Sequence, residues 1–371
     1  MLSVRIGERR KTGDCALAAG NCRVASYTPR PVRGSKAIRT AAWGLVAAGV
    51  MAPLLRKRLS TPPIVAQTVA FVAPIGLCVA VRRSRTRDVA VCSLQMWAYL
   101  AAYKAPHDDE SAQEQRVLVD YPIAIDRALG LGQLPTVRLQ RRLARGQWRL
   151  GDRVLVWAHW LWFLIPHGTL VYILLRHRSR FDRSAVMTYA VFDLGAMVYW
   201  ILPTAPPWYA AGHAGRGRHF NGRLLGASGA GGGPGEMAAK PATASAAPGD
   251  IAVRRMMVEY GEFFWKDGWG PLYSVLGGNP LAAMPSLHFA TSMMAAQLLA
   301  ETGPVAGALA WGYTATLGFA LVYLGEHYVV DLIAGAALTT AVRRLGPPAE
   351  PGLRRFAAAV AAIEARAHDA P

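Results

Sequence analysis

Charged side chains are scarce in this chain: Asp, Glu, Lys and Arg make up 17% of 371 residues, against 53% hydrophobic. That balance excludes an average soluble domain of this size. Acidic residues are scarcer still, 23 against 41 Lys and Arg, which leaves a formal net charge of +18. Cysteine is nearly absent. The four present, Cys15, Cys22, Cys78 and Cys92, have no zinc-type spacing, and the last two lie in apolar stretches where packing accounts for them. The N-terminus lacks a continuous apolar core of about 7 to 15 residues, so it is not a cleavable secretory signal, and residues 1–37 read as a basic, disordered cytoplasmic tail.

What the chain has is apolar sequence in blocks. Eight stretches are nearly free of Asp, Glu, Lys and Arg: Thr40–Leu55, Ile64–Val81, Val89–Tyr103, Val154–Leu175, Ala185–Pro203, Met284–Ala300, Pro304–Leu324 and Tyr328–Val342. About 20 helical residues cross a bilayer core, so the blocks predict an all-α, polytopic membrane helix bundle. Transmembrane helices are expected over 38–104, a catalytic membrane domain over 105–345 with a disordered insert at 221–250, and a cytoplasmic C-terminal tail over 346–371. The positive charge is not a nucleic-acid signature. Arginines crowd the block ends, at Arg56-Lys57-Arg58, Arg82 to Arg87, Arg176 to Arg183 and Arg343-Arg344, where topological anchors sit.

The basic link RHRSRFDR between the fourth and fifth blocks places that end in the cytoplasm by the positive-inside rule. The fifth block then runs outward to PTAPPW, where helix cannot continue. The Gly, Ala, Pro and Ser-rich tract that follows cannot bury enough apolar surface to fold alone, so 205–283 reads as an external loop. Its end regains aromatics in VEYGEFFWKDGWGPLY, an interfacial belt. Both termini come out inside, with Arg56 to Arg58 the one exception to the charge rule. The polar stretch Lys104–Arg153 reads as amphipathic helix lying at the membrane surface.

Two polar clusters stand at the outer ends of apolar blocks, NPLAAMPSLHFATS and YLGEHYVVDLIAG. Ionisable groups at membrane depth are costly and point to function. His327 and Asp331 are four residues apart and share one helix face, so the carboxylate can hold one imidazole nitrogen and leave the other with a free lone pair. Pro285 and Ser286 open the other helix, whose first-turn amides can hold a phosphate beside His288, placed to donate a proton. Arg216, Arg218, Arg254, Arg255 and Lys266 are the candidate phosphate-binding cations. The remaining histidines, His159 and His167 among them, read as ordinary polar contacts.

MPSLH followed by HYVVD resembles the second and third signature motifs of the type 2 phosphatidic acid phosphatase superfamily. The wording NPLAAMPSLH, PTAPPW and DRALGL is most similar to its inositol phosphorylceramide synthase-like branch, and the resemblance covers about 116–345. It implies a six-helix core, no cofactor or metal, and an extracytoplasmic site in a cell membrane. By the same resemblance His327 is the nucleophile, Asp331 orients it, and His288 is the acid. The chain departs from the phosphatase pattern where Ser-Arg is expected, at Ala320 and Leu321, and where Lys and Arg precede the Pro-rich turn.

The expected activity is phosphotransfer from a lipid phosphate or phospho-headgroup to an alcohol such as inositol. Lipid phosphate hydrolysis uses the same intermediate and is the alternative. A transporter or silent scaffold is a third reading, disfavoured by the absence of an inverted repeat. The topology is testable by labelling: a Cys introduced at Ser228 should react with an impermeant maleimide in intact cells. Reaction only after permeabilisation reverses the orientation.

Overall fold

The computed structural model describes residues 33–105, 116–144, 146–214, 253–276 and 279–368. Residues 1–32 of the expected N-terminal tail, the 221–250 tract, Arg216 and Arg218 lie outside them. The helices are α1 (Arg33–Leu55), α2 (Pro63–Ala80), α3 (Arg85–Lys104), α4 (Asp120–Leu129), α5 (Pro135–Leu143), α6 (Leu150–Trp160), α7 (Leu164–Arg176), α8 (Arg178–Ile201), α9 (Pro207–Ala214), α10 (Met256–Trp265), α11 (Trp269–Leu276), α12 (Leu287–Ala300), α13 (Pro304–Tyr323) and α14 (Val329–His368). Among the described residues there is no strand; extended pairing occurs only where Thr204 bridges Leu118 and Ala282.

Local chemistry sets the helix ends. Proline opens α2 and α13 at positions where a missing amide costs nothing. The Ser84 hydroxyl caps α3 by accepting from the Arg87 amide, and Ser286 caps α12 by accepting from Phe289. Among the described residues five stretches are long and apolar enough to span a bilayer: Ser35–Leu55, Pro63–Ala80, Leu150–Arg176, Arg178–Ile201 and Pro304–Tyr323. The chain is therefore an all-α, multi-pass membrane bundle.

Three of the eight apolar blocks turn out differently. The third forms α3, but Arg87, Asp88, Gln95 and Lys104 make it too polar to count among the spanning helices. The sixth forms α12, only 14 residues long, about 21 Å at the α-helical rise and short of a bilayer core. The eighth does not stop at Arg343-Arg344. It continues as one 40-residue helix to His368, and its end docks on the N-terminal helices: the buried Arg87 donates to Glu364 at 2.7 Å, and the His368 ring meets the Val79 carbonyl at 3.1 Å.

The Lys104–Arg153 stretch is also more deeply involved than surface helices would be. Helices α4 and α5 form as the amphipathic pattern requires, but Asp126 and Gln140 on them are buried. Gln140 donates to the Tyr323 and Arg254 carbonyls and accepts from the Arg254 amide, each at 2.9 Å. Polar side chains thus tie these helices into the bundle.

Short α12 lies at the centre, packed on α7, α8, α13 and α14, and Met294, Leu298 and Phe192 are almost wholly buried around it. Lipid tails are as apolar as these side chains, so close approach rather than water exclusion drives such packing. Glycines allow it: Gly195 faces Leu287, Gly318 faces Phe289, and a Cβ on Gly335 would stand 2.7 Å from the Ser286 carbonyl oxygen. Arg178 pairs with Asp88 at 2.6 Å, Arg183 with Glu301 at 3.1 Å and Arg343 with Glu301 at 2.5 Å, so the basic links gather at one end. The Pro203–Ala205 and Leu281–Ser286 turns gather at the other.

Gly335→Ala tests the α12–α14 contact. The added methyl meets backbone, so we expect a loss of about 1 to 3 kcal/mol of stability, read by thermal unfolding in detergent, and Gly352→Ala, whose Cβ would meet open space within the same helix, should cost nothing and gain up to about 1 kcal/mol.

Candidate active site

The last turn of α13 ends at Tyr323, and the chain reverses through Gly325 at φ +84°, a left-handed conformation that favours glycine. A Cβ there would also stand 2.8 Å from the Arg254 carbonyl oxygen. The Glu326 and His327 amides both donate to the Leu321 carbonyl at 3.1 Å, and the Trp208 and Met256 amides reach the Gly325 and Leu324 carbonyls at 3.3 Å. The turn that presents His327 is thereby tied to the Pro-rich turn and to the start of α10.

Helix α14 begins two residues later, and its first amides would be left unpaired without a cap. Asp126 supplies it from α4: its two carboxylate oxygens accept from Val329 and Val330, each at 2.9 Å. Burial pushes the Asp126 carboxyl above its ordinary range, and the two amides draw it part of the way back. The negative charge also matches the positive end of the helix. Sequence reasoning missed this residue because its partners are two hundred positions away.

Within that frame the three predicted residues form a line. Asp331 Oδ2 accepts from the Tyr328 amide at 2.8 Å and lies 3.3 Å from His327 Nδ1. His327 Nε2 lies 3.2 Å from His288 Nδ1. A carboxylate only accepts, so Nδ1 of His327 carries the proton, Nε2 holds the lone pair, and His288 donates to it. His327 and Asp331 are 3% and 0% exposed, which excludes bulk water from this relay.

The other predicted residues are divided. Ser286 is fully buried; its amide donates to the Asp331 carbonyl at 2.9 Å and its hydroxyl takes the Phe289 amide. It joins α12 to α14 and does not present its own amide outward. The Pro285 carbonyl accepts from Tyr199 at 2.8 Å. Arg254 turns away to an exposed pair with Glu259, and Lys266 is exposed beyond α10. Arg255 is the cation brought to the site: its guanidinium lies 3.6 Å from the Trp208 ring centroid and 5.5 Å from Tyr273, with Nε 3.5 Å from Glu326, the neighbour of His327. Ala320 and Leu321 are buried with no exposure and serve packing.

Two further side chains stand at His288. Its ring centroid is 4.2 Å from Trp162 and 5.0 Å from His159, the latter nearly parallel at 25°. His159, read from the sequence as an ordinary polar contact, thus lies beside the candidate histidine pair. The signal available was an ionisable group inside an apolar block, which alone could not distinguish it from His167. Among the described residues no three His, Cys, Asp or Glu side chains gather as a metal site.

A family model described as the PAP2 superfamily matches residues 123–345, which takes in the Asp126 cap, both histidines and Asp331. No curated protein and no solved structure matches the chain.

Removing the α14 cap should be felt at the site. Asp126→Ala is expected to cost about 1 to 2 kcal/mol, the range for a lost helix cap, with Asp126→Asn intermediate because one oxygen acceptor remains. Thermal unfolding reads the first effect, and hydrogen exchange at the Val329 and Val330 amides should accelerate with it.

Proposed function

The chain belongs to the PAP2 superfamily, and from that membership and the Asp331–His327–His288 line we propose an integral membrane lipid phosphotransferase working through a phosphohistidine. The hydrogen-bonded line carries this reading, because it gives one imidazole a free lone pair and sets a second beside it as proton donor. His327 Nε2 attacks phosphorus, the bond to the leaving oxygen breaks, and His288, entering as the imidazolium, delivers a proton to that oxygen and is left neutral. Asp331 holds the tautomer and stabilises the positive charge that develops on His327. In the second half an alcohol attacks the phosphohistidine and gives its proton to His288.

The site's charge favours a phospho-headgroup over a free phosphate monoester. Arg255 is balanced by Glu326, and apolar Ala320 and Leu321 stand where the phosphatase pattern has Ser-Arg. A singly charged phosphodiester needs fewer cations than a dianionic monoester. That supports transfer of the inositol phosphorylceramide synthase type, with Arg255 as the phosphate-binding cation and an alcohol such as inositol as acceptor. Hydrolysis of phosphatidic acid or polyprenyl phosphate shares the first half-reaction and is the second reading. The short basic link RHRSRFDR, at the end of the bundle opposite the histidines, supports an extracytoplasmic site in the cell membrane.

The test is incubation of purified protein with labelled phosphatidylinositol, phosphatidic acid and polyprenyl phosphate, with and without alcohol acceptors. Acceptor-dependent product from phosphatidylinositol supports transfer, and release of inorganic phosphate from the monoesters supports hydrolysis. His327→Ala should abolish turnover and the acid-labile phosphoenzyme. His288→Ala should slow its formation by roughly 100 to 10,000-fold, and Asp331→Asn should also be severe, because an amide can hold the wrong tautomer. Chelators should leave every variant unchanged. A phosphoenzyme that persists in His327→Ala would reject the mechanism.

A further inference from the structure

The hydrogen bond that holds His288 in the resting site is its Nδ1 contact with His327 Nε2 at 3.2 Å. That bond cannot survive the reaction. Once His327 Nε2 is bonded to phosphorus its lone pair is gone, and His288 loses the acceptor that oriented it at the moment it must face the leaving oxygen. Something else has to hold the ring.

We propose that His159 and Trp162 are the positioning residues that keep His288 aimed during phosphoryl transfer; this rests on the phosphohistidine reading above. Their rings lie 5.0 and 4.2 Å from that of His288, centroid to centroid. Both come from one place in the chain, the point where α6 passes into the Leu161–Phe163 3₁₀ turn. Side chains three apart share a face in an α-helix and eclipse in a 3₁₀ turn, so positions 159 and 162 point to the same side across the junction.

The support is itself anchored from outside. Trp162 Nε1 donates to Thr291 Oγ1 at 2.9 Å, one turn beyond His288 on α12, and Thr291 in turn donates to the Leu287 carbonyl at 2.7 Å. The Ala158 carbonyl accepts from Tyr313 of α13 at 2.7 Å. His159 and Trp162 are therefore fixed to the two helices that flank the catalytic histidines. His159 Nδ1 is buried with no hydrogen-bond partner among the described residues, so no hydrogen bond at that nitrogen accounts for the ring's placement.

The role predicts a dependence on the leaving group. The P–O bond to an alkyl oxygen breaks with proton delivery from His288, whereas 4-nitrophenolate leaves without a proton. Misaiming His288 should slow the first and spare the second. We therefore compare phosphatidic acid with 4-nitrophenyl phosphate, and phosphatidylinositol with bis(4-nitrophenyl) phosphate, using whichever pair the wild-type protein turns over. His159→Ala and Trp162→Leu are expected to lower kcat on the lipid roughly 10 to 100-fold, within the range of general-acid contributions. KM should change little, and the nitrophenyl rate should stay within about 3-fold.

The ring-retaining variants His159→Phe and Trp162→Phe should recover most of the lipid rate. In a His288→Ala background neither His159→Ala nor Trp162→Leu should cost anything further. Equal losses on both substrates of a pair, or losses that multiply with that of His288→Ala, overturn the proposal. A variant that retains the nitrophenyl rate is folded by that measure. A wild-type protein inactive on all four substrates fails the functional reading itself, and the inference falls with it.

Discussion

The site depends on how the N-terminus of α14 is held. A helix that begins packed against protein leaves its first amides unpaired, and each costs free energy unless another group accepts from it. Asp126 meets that requirement for Val329 and Val330, and Asp331 meets it for Tyr328 from inside the helix. The carboxylate that fixes the His327 tautomer is therefore also part of the cap. The geometry of the candidate site and helix initiation are one constraint, in keeping with the way buried polar side chains draw helices α4 and α5 into the bundle.

The second element of the site comes from a different kind of constraint. Helix α12 is too short to span a bilayer and nearly surrounded by protein, so its register is set by contact with its neighbours. Gly335 lets α14 approach the Ser286 carbonyl, and the Ser286 amide reaches Asp331 in return. His288 and His327 are brought within hydrogen-bonding distance by this close crossing. On the other side, the junction within the fourth apolar block presents Trp162 and His159 toward His288 from one side.

Charge in the site is low. Among the described residues one arginine, stacked on Trp208 and facing Glu326, stands near the His327–His288 pair and a buried carboxylate. Stacking on indole suits a guanidinium because the ring face is electron-rich and leaves the edge donors available. The same Trp208 belongs to PTAPPW, so the Pro-rich turn contributes by supporting a cation where the phosphatase pattern would supply one directly.

The amino-acid sequence by itself determined the class of the protein and singled out its candidate reacting residues. Apolar blocks of bilayer length dictate a helical membrane bundle, because only helices and closed barrels satisfy every backbone group in lipid. His327 and Asp331 were legible because a four-residue spacing puts them on one helical face, and His288 because its motif wording resembles that of a known superfamily. The length of α14 was not legible: Pro347, Pro348 and Pro351 lie inside it, against the usual rule that proline ends a helix. Nor were Asp126, His159, Trp162 and the choice of Arg255 over Arg254. Adjacent arginines look alike in one dimension, and a buried aspartate in a polar stretch looks solvated. Only tertiary structure decided these, because each role is set by a partner far along the chain that helix packing brings within a few ångströms.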